Sequence, residues 1–216
     1  RIYGVPDNPK GKYPGEVSFL GTTLNQFMAQ NKVTKEELWK GEETYLWFAD
    51  LYPVCDDWED ALDMEKLLEK KDPVCFVQYE GLKNNIGQLY KMTLADGVEK
   101  CFCHGDTYKP NWMIRPDGSV ILIDWEYSGY SDPGIDVGYY VVDAMYDFDK
   151  AEEFIKEYLQ EDYNETTRFH YMAYVAIIAY YWFVWAMYRE SCGADMGEAL
   201  ENWRDMAVKY AEYLLK

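Results

Sequence analysis

Residues 101 to 127 alternate short apolar runs with polar loops in an order that few folds accommodate. Cys101-Phe102-Cys103 leads into the polar loop from His104 to Asn111, and Trp112-Met113-Ile114 follows. Pro116-Asp117-Gly118 then makes a turn, and Val120-Ile121-Leu122-Ile123 ends in Asp124. A Pro-Asp-Gly turn between two apolar runs predicts a β-hairpin, which returns Asn111 and Asp124 to the same end. Asp106 can accept a proton from a substrate hydroxyl, and Asn111 and Asp124 can offer oxygen ligands to the Mg²⁺ that neutralises a nucleotide's phosphates. An isolated Asp-x₄-Asn pair is also what turn-capping residues look like. His104 just upstream, the hairpin behind, and a second aspartate ending an apolar strand favour the catalytic reading.

The stretch resembles the catalytic loop and metal-binding strand of the aminoglycoside phosphotransferase and choline kinase superfamily, a branch of the protein-kinase-like fold. The likeness continues through Ile123-Asp-Trp-Glu-Tyr-Ser-Gly-Tyr-Ser-Asp-Pro-Gly-Ile-Asp-Val-Gly138 and is nearest to the choline and ethanolamine kinases. It is tight over 101–148, looser over 45–100 and 165–190, and not visible before 45. The fold it implies is α+β, mainly α: a protein-kinase-like C-terminal lobe over 51–216 with a small catalytic hairpin (catalytic loop 101–114, metal strand 120–127). Residues 1–50 would be a leader and hinge-proximal remnant. The resemblance makes Asp106 the catalytic residue and Asn111 and Asp124 the Mg²⁺ ligands, with ATP as co-substrate. A kinase of this kind also needs a Gly-rich loop and a strand lysine. Neither is found before residue 50, so the nucleotide lobe is expected to be missing or reduced and the chain inactive by itself. With Arg1 in first place, the chain is taken for a fragment or a processed product.

Charge narrows the partners. A net −18, from 21 basic against 39 acidic residues, argues against nucleic acid or an anionic membrane surface. It suits a small cationic substrate, though an acidic surface also serves solubility. Five cysteines, an odd number without framework spacing, point to a reducing, cytoplasmic compartment. Cys101 and Cys103 share one face of a strand and read as core rather than as a metal site. Residues 171–188 carry no charge. Their tyrosines and the lack of basic clusters at the flanks favour a buried aromatic helix over a membrane span.

Periodicity and punctuation fill in the rest. Residues 1–16 read as irregular, 22–31 as a short helix, and Thr34 to Gly41 as another opened by a capping box. The β-prone 44–49 is, by resemblance, the strand into the hinge at 50–54. Helices follow at 57–71, at 75–95 with a bend or break near Gly81 or Gly87, at 136–146, and at 149–160 after Asp149. A long helix begins at Asn164 or Thr166 and runs to Arg189, with Gly193 as its stop. The last helix, 195–215, carries a stripe of Leu200, Trp203, Met206, Tyr210 and Tyr213. Asp132 is read as capping the turn at Pro133, Asp136 as tying its helix start to the catalytic loop, and His104 as orienting that loop. His170 is read as a plain helix residue.

A quaternary ammonium offers no hydrogen to donate, so proteins hold it with aromatic faces and a nearby carboxylate. Trp182 and Trp185, three apart, share a helix face, with Tyr181 and Tyr188 alongside. The resemblance assigns substrate-binding roles to Trp182, Trp185, Tyr127 and Asp143. Here the family's acidic pocket residue is the shorter aspartate, and its tyrosine partner falls on Phe148. Such an aromatic stripe is equally what a core looks like. The resulting expectation is ATP-dependent phosphotransfer to the hydroxyl of a small amino alcohol, choline before ethanolamine. An aminoglycoside or other small-molecule kinase and a non-catalytic module binding cationic amines are the alternatives.

Overall fold

A computed structural model describes residues 79–216. The expectations for 1–16, 22–31, 34–41, 44–54, 57–71 and the first residues of the helix at 75–95 lie outside them. The described chain divides into two compact units, one holding Lys100–Asp136 and the other 79–99 with Val137–Lys216.

The smaller unit is built from two antiparallel pairs. Strands β2 (Trp112–Ile114) and β3 (Val120–Leu122) form the expected hairpin, with Trp112 opposite Leu122 and Ile114 opposite Val120. Its turn closes through Arg115 N–H to the Ser119 carbonyl at 2.8 Å, and the Asp117 carboxylate accepts from both the N–H and the hydroxyl of Ser119. Strands β1 (Cys101–Cys103) and β4 (Gly129–Ser131) make a second pair, Cys101 against Ser131 and Cys103 against Gly129, which three-residue runs gave no period to predict. Cys103 is buried, but Cys101 is exposed, so the core reading holds for only one of these thiols.

Helix α1 (Tyr79–Ala95) buries Leu82, Ile86, Leu89 and Thr93 along one face. It runs through Gly81 and Gly87 without the break that was one of the two expectations there. A glycine costs a helix about 1 kcal/mol relative to alanine, whereas each buried aliphatic side chain contributes about 1.5–3 kcal/mol, so packing wins. Helix α2 (Gly134–Asp143) begins and ends earlier than expected. Asp132 sets its start, its carboxylate accepting from Gly134 N–H and its carbonyl from Ile135 N–H. Its end is a Schellman turn with Met145 in the left-handed region at φ 52°, which the sequence does not announce. Helix α3 (Phe148–Leu159) is capped by Asp147, which accepts from Lys150 N–H, and not by Asp149.

Helix α4 (Glu165–Ser191) is the axis of the larger unit. Asn164 caps it reciprocally with Thr167, and Gly193, at φ 100°, stops it in a Schellman turn closed by Gly193 N–H to Glu190 and Ala194 N–H to Arg189. Every residue from His170 to Tyr181 is buried. The helix is long and apolar enough to cross a membrane, but 83% of its most apolar window lies inside the protein. Its most extensive partner is α5 (Ala199–Leu214), followed by α1 and α3. Helix α2 reaches it at Gly138, where a Cβ would stand 2.8 Å from Ile178 Cγ1 and 2.9 Å from the Tyr174 carbonyl. Helix α5 starts four residues later than expected because Gly197 turns left-handed at φ 57° and Met196 N–H is taken by the Glu190 carboxylate. Its stripe buries Leu200, Met206 and Tyr210, while Tyr213 stays exposed. His170 is more than a plain helix residue: it is fully buried, and its Nδ1 lies 2.7 Å from the Asp96 carboxylate after α1.

Candidate active site

Asp106 lies on the loop between β1 and the hairpin, and that loop is held from several sides. The Asp136 carboxylate accepts from His104 N–H and Gly105 N–H, both at 2.7 Å, and the Asp136 carbonyl accepts from the Thr107 hydroxyl. Withdrawal from water pushes the Asp136 carboxyl up, and the two N–H groups of Gly105 and His104 pull it back. Gly105 sits at φ 81°, and a Cβ there would collide with the Tyr127 carbonyl oxygen, so the loop closes against the backbone of Tyr127 only with glycine. Asp136 thus makes the helix-to-loop tie that its position suggested.

His104 is a brace in this loop. Its Nδ1 accepts from Asp106 N–H at 3.2 Å, so the ring proton sits on Nε2, which donates to the Ile123 carbonyl at 2.8 Å. The indole of Trp125 packs edge-on against it at 4.7 Å and itself donates to the Leu122 carbonyl. Trp125 and Thr107 were not singled out from sequence; the tryptophan's place directly after Asp124 was the available signal. Burial holds the His104 imidazolium below the ordinary range, only partly offset by its hydrogen bonds to Ile123 and Asp106 and by the charge of Asp124. Folded His104 therefore resists a proton that the unfolded chain accepts near pH 6.5. Its stabilising contribution is present above that pH and fades as pH falls towards the lower folded value. Urea midpoints measured between pH 8 and 5 are expected to fall less in His104→Gln than in the parent; parallel curves would remove His104 as the source.

Asp106 and Asn111 touch directly. Asn111, 5% exposed, donates from Nδ2 to both the Asp106 carboxylate (2.9 Å) and the Asp106 carbonyl (2.8 Å). The amide group is thereby fixed, with Oδ1 as its acceptor atom. The hairpin register extends one step further, because Ile123 N–H donates to the Asn111 carbonyl at 2.9 Å, so Asp124 is the next residue after the one opposite Asn111. Asp124 is exposed and adopts φ 65°, ψ 61°. This left-handed conformation costs a non-glycine residue about 1–2 kcal/mol and turns the chain from β3 into a short 3₁₀ turn, Trp125–Tyr127. One amide oxygen and one carboxylate suit Mg²⁺, which keeps several waters and takes phosphate oxygens for the rest. Among the described residues no three His, Cys, Asp or Glu side chains gather as a closed metal cluster.

The larger unit contains the aromatic group. Trp182 meets Trp185 at 5.2 Å between ring centroids and Trp203 of α5 at 5.6 Å, and Trp185 meets Trp203 at 6.4 Å. Tyr139 of α2 packs edge-on against Trp182 at 5.4 Å, and Tyr181 does so at 5.3 Å. Asp143 lies one helical turn after Tyr139 on the same helix and is half-buried. Trp182, Trp185 and Trp203 are all half-buried, and the Arg189 guanidinium already lies over the Trp185 ring at 5.6 Å. Trp203, read from sequence only as part of the α5 stripe, belongs to the cluster. Phe148 does not join it: its ring packs on Tyr210 and Tyr213, each at 4.4 Å.

A model of the phosphotransferase enzyme family matches residues 44–172. The LicA protein of Haemophilus influenzae is 27% identical over 122 residues, covering 52% of this chain and 44% of its own length. The human choline/ethanolamine kinase is 32% identical over 75 residues, 33% of this chain and 19% of its own. The chain therefore spans less than half the length of either relative. Among solved structures, the choline kinase LicA from Streptococcus pneumoniae superposes with a TM-score of 0.59 at 24% identity, covering 76% of this chain and 55% of that one. That likeness carries the fold: mainly helical with few short strands, matching the C-terminal lobe of a protein-kinase-like enzyme.

Proposed function

Because the chain belongs to the phosphotransferase enzyme family, we propose that it takes part in transferring the γ-phosphoryl group of ATP to the hydroxyl of a small amino alcohol, choline first and ethanolamine next. The observation that carries this reading is the Asp106 carboxylate held at 2.9 Å by Asn111, at the hairpin end where the other strand runs into Asp124. Names of relatives as choline or ethanolamine kinases support the substrate class.

Asp106 receives the substrate hydroxyl's proton as the oxygen attacks the γ-phosphorus. The new O–P bond forms as the bond to the bridging oxygen breaks, and ADP leaves. Asn111 keeps the Asp106 carboxylate in one orientation, and His104, Asp136 and Thr107 keep the loop from moving, so the acceptor is in place before substrate arrives. Asn111 and Asp124 would hold the Mg²⁺ that neutralises phosphate charge. Trp182 and Trp185 offer ring faces to the ammonium head, and Asp143 offers a counter-charge. Tyr127 is proposed as a further substrate contact. The thiol form of Cys101, Cys103 and Cys192 suits a reducing, cytoplasmic setting.

Calorimetric titrations with choline, ethanolamine and an aminoglycoside, each with and without MgATP, test the reading. Choline is expected to bind most tightly and to release ADP in the whole protein. Preference for the aminoglycoside would move the chain to another branch of the family, and choline binding without any ADP release would make it a binding module.

A further inference from the structure

The pair of thiols beside the catalytic loop is not used by the proposed chemistry. On β1, Cys101 Sγ and Cys103 Sγ stand 3.8 Å apart on one face of the strand. The outer thiol is exposed and the inner one buried, which gives an entry path and a shielded second ligand. A disulfide between them is disfavoured. Residues two apart on an extended strand span roughly 6.6–6.8 Å between Cα atoms, the far end of what a disulfide tolerates. Closing it would compress β1 at Phe102, which is paired with Tyr130 of β4. A bridging ion needs no such movement: with a metal–sulfur bond of about 2.3 Å, the sulfur–sulfur edge of a tetrahedral thiolate site is roughly 3.8 Å.

We propose that Cys101 and Cys103 form a two-thiolate site for a soft, thiophilic divalent cation of the Zn²⁺ or Cd²⁺ type. Among the described residues no third His, Cys, Asp or Glu joins the pair. With two thiolates from the described residues, the remaining positions are open to water or small thiols, and the site is exchangeable. Binding replaces two thiol protons by two metal–sulfur bonds and releases both protons to solvent. The Cys103 thiol currently points its proton at the Ser131 carbonyl (3.5 Å) and the Cys101 carbonyl (3.6 Å), both weak acceptors for sulfur. Both thiols must lose their protons to bind, so metal affinity rises with pH. Mg²⁺, a hard cation, prefers oxygen ligands such as Asn111 and Asp124 and does not compete for sulfur.

Cadmium titration of the full chain, followed by the thiolate-to-cadmium charge-transfer band in the presence of excess Mg²⁺, reads this directly. One equivalent is expected to bind, with a stronger response at higher pH. Cys101→Ser, at an exposed position, should weaken binding at least tenfold with an unchanged circular-dichroism spectrum, and Cys103→Ser should do the same. Separate Cys55→Ser, Cys75→Ser and Cys192→Ser variants should retain it. A band that survives Cys101→Ser, that disappears with one of the other three cysteines, or that excess Mg²⁺ abolishes would overturn the assignment.

Discussion

Asp106→Asn is expected to lower phosphotransfer turnover in the whole protein by about two to four orders of magnitude while leaving choline affinity within a factor of about two. The substitution keeps the side chain's shape, and its amide oxygen can still accept from Asn111 Nδ2, which is 2.9 Å from the Asp106 carboxylate. The loop's other ties run through His104, Gly105, Thr107 and Asp136 and do not use the Asp106 side chain. What disappears is the capacity to take the hydroxyl proton. Rate and affinity are therefore expected to separate: turnover falls, whereas the proposed ammonium contacts, Trp182 and Trp185, lie elsewhere in the chain. A near-parental rate, measured as ADP release with choline saturating, would reduce the loop to a structural element.

The parts of the fold that were legible in the sequence are those with a local physical cause. Pro116-Asp117-Gly118 forces a turn, so the hairpin and the return of Asn111 and Asp124 to one end of it were readable from spacing. Asn164, one of the two starts read, caps α4, and Gly193 in the left-handed region stops it, as their chemistry requires. Errors came where a local signal was outweighed by packing or was lacking. Gly81 and Gly87 look like helix breakers, yet buried Leu82, Ile86 and Leu89 carry α1 through them. Met145 ends α2 in a conformation that methionine does not advertise, and β1 and β4 are too short to show a period. The His170–Asp96 pair joins residues 74 apart, a distance over which no local pattern operates. In the candidate site, the loop tie made by Asp136 follows the reading of the motif, whereas the hydrogen bond between Asp106 and Asn111 was not read from it. Trp125 and Trp203 escaped it because an aromatic residue's role depends on what lies across from it.

The aromatic cluster has two possible roles, and the structure sharpens the test that separates them. Trp182 is surrounded by the rings of Tyr139, Tyr181, Trp185 and Trp203 at 5.2–5.6 Å. Aromatic pairs contribute about 0.5–1.5 kcal/mol each beyond area burial, so Trp182→Leu is expected to destabilise the protein by about 2–4 kcal/mol. Trp185 has fewer such neighbours among the described residues, and the guanidinium of the exposed Arg189 lies over its ring at 5.6 Å, so that face already meets one cation. Trp185→Leu keeps much of the apolar volume and removes the π-face. A ring facing a desolvated ammonium contributes about 0.5–2 kcal/mol, so the choline dissociation constant should rise about two- to thirtyfold, with a smaller loss of stability than in Trp182→Leu. Melting temperature and choline affinity measured on the same two variants decide between the roles. If Trp185→Leu lowers stability as much as Trp182→Leu while choline affinity on the folded fraction stays unchanged, both tryptophans are core, and the ammonium must be held elsewhere in the protein.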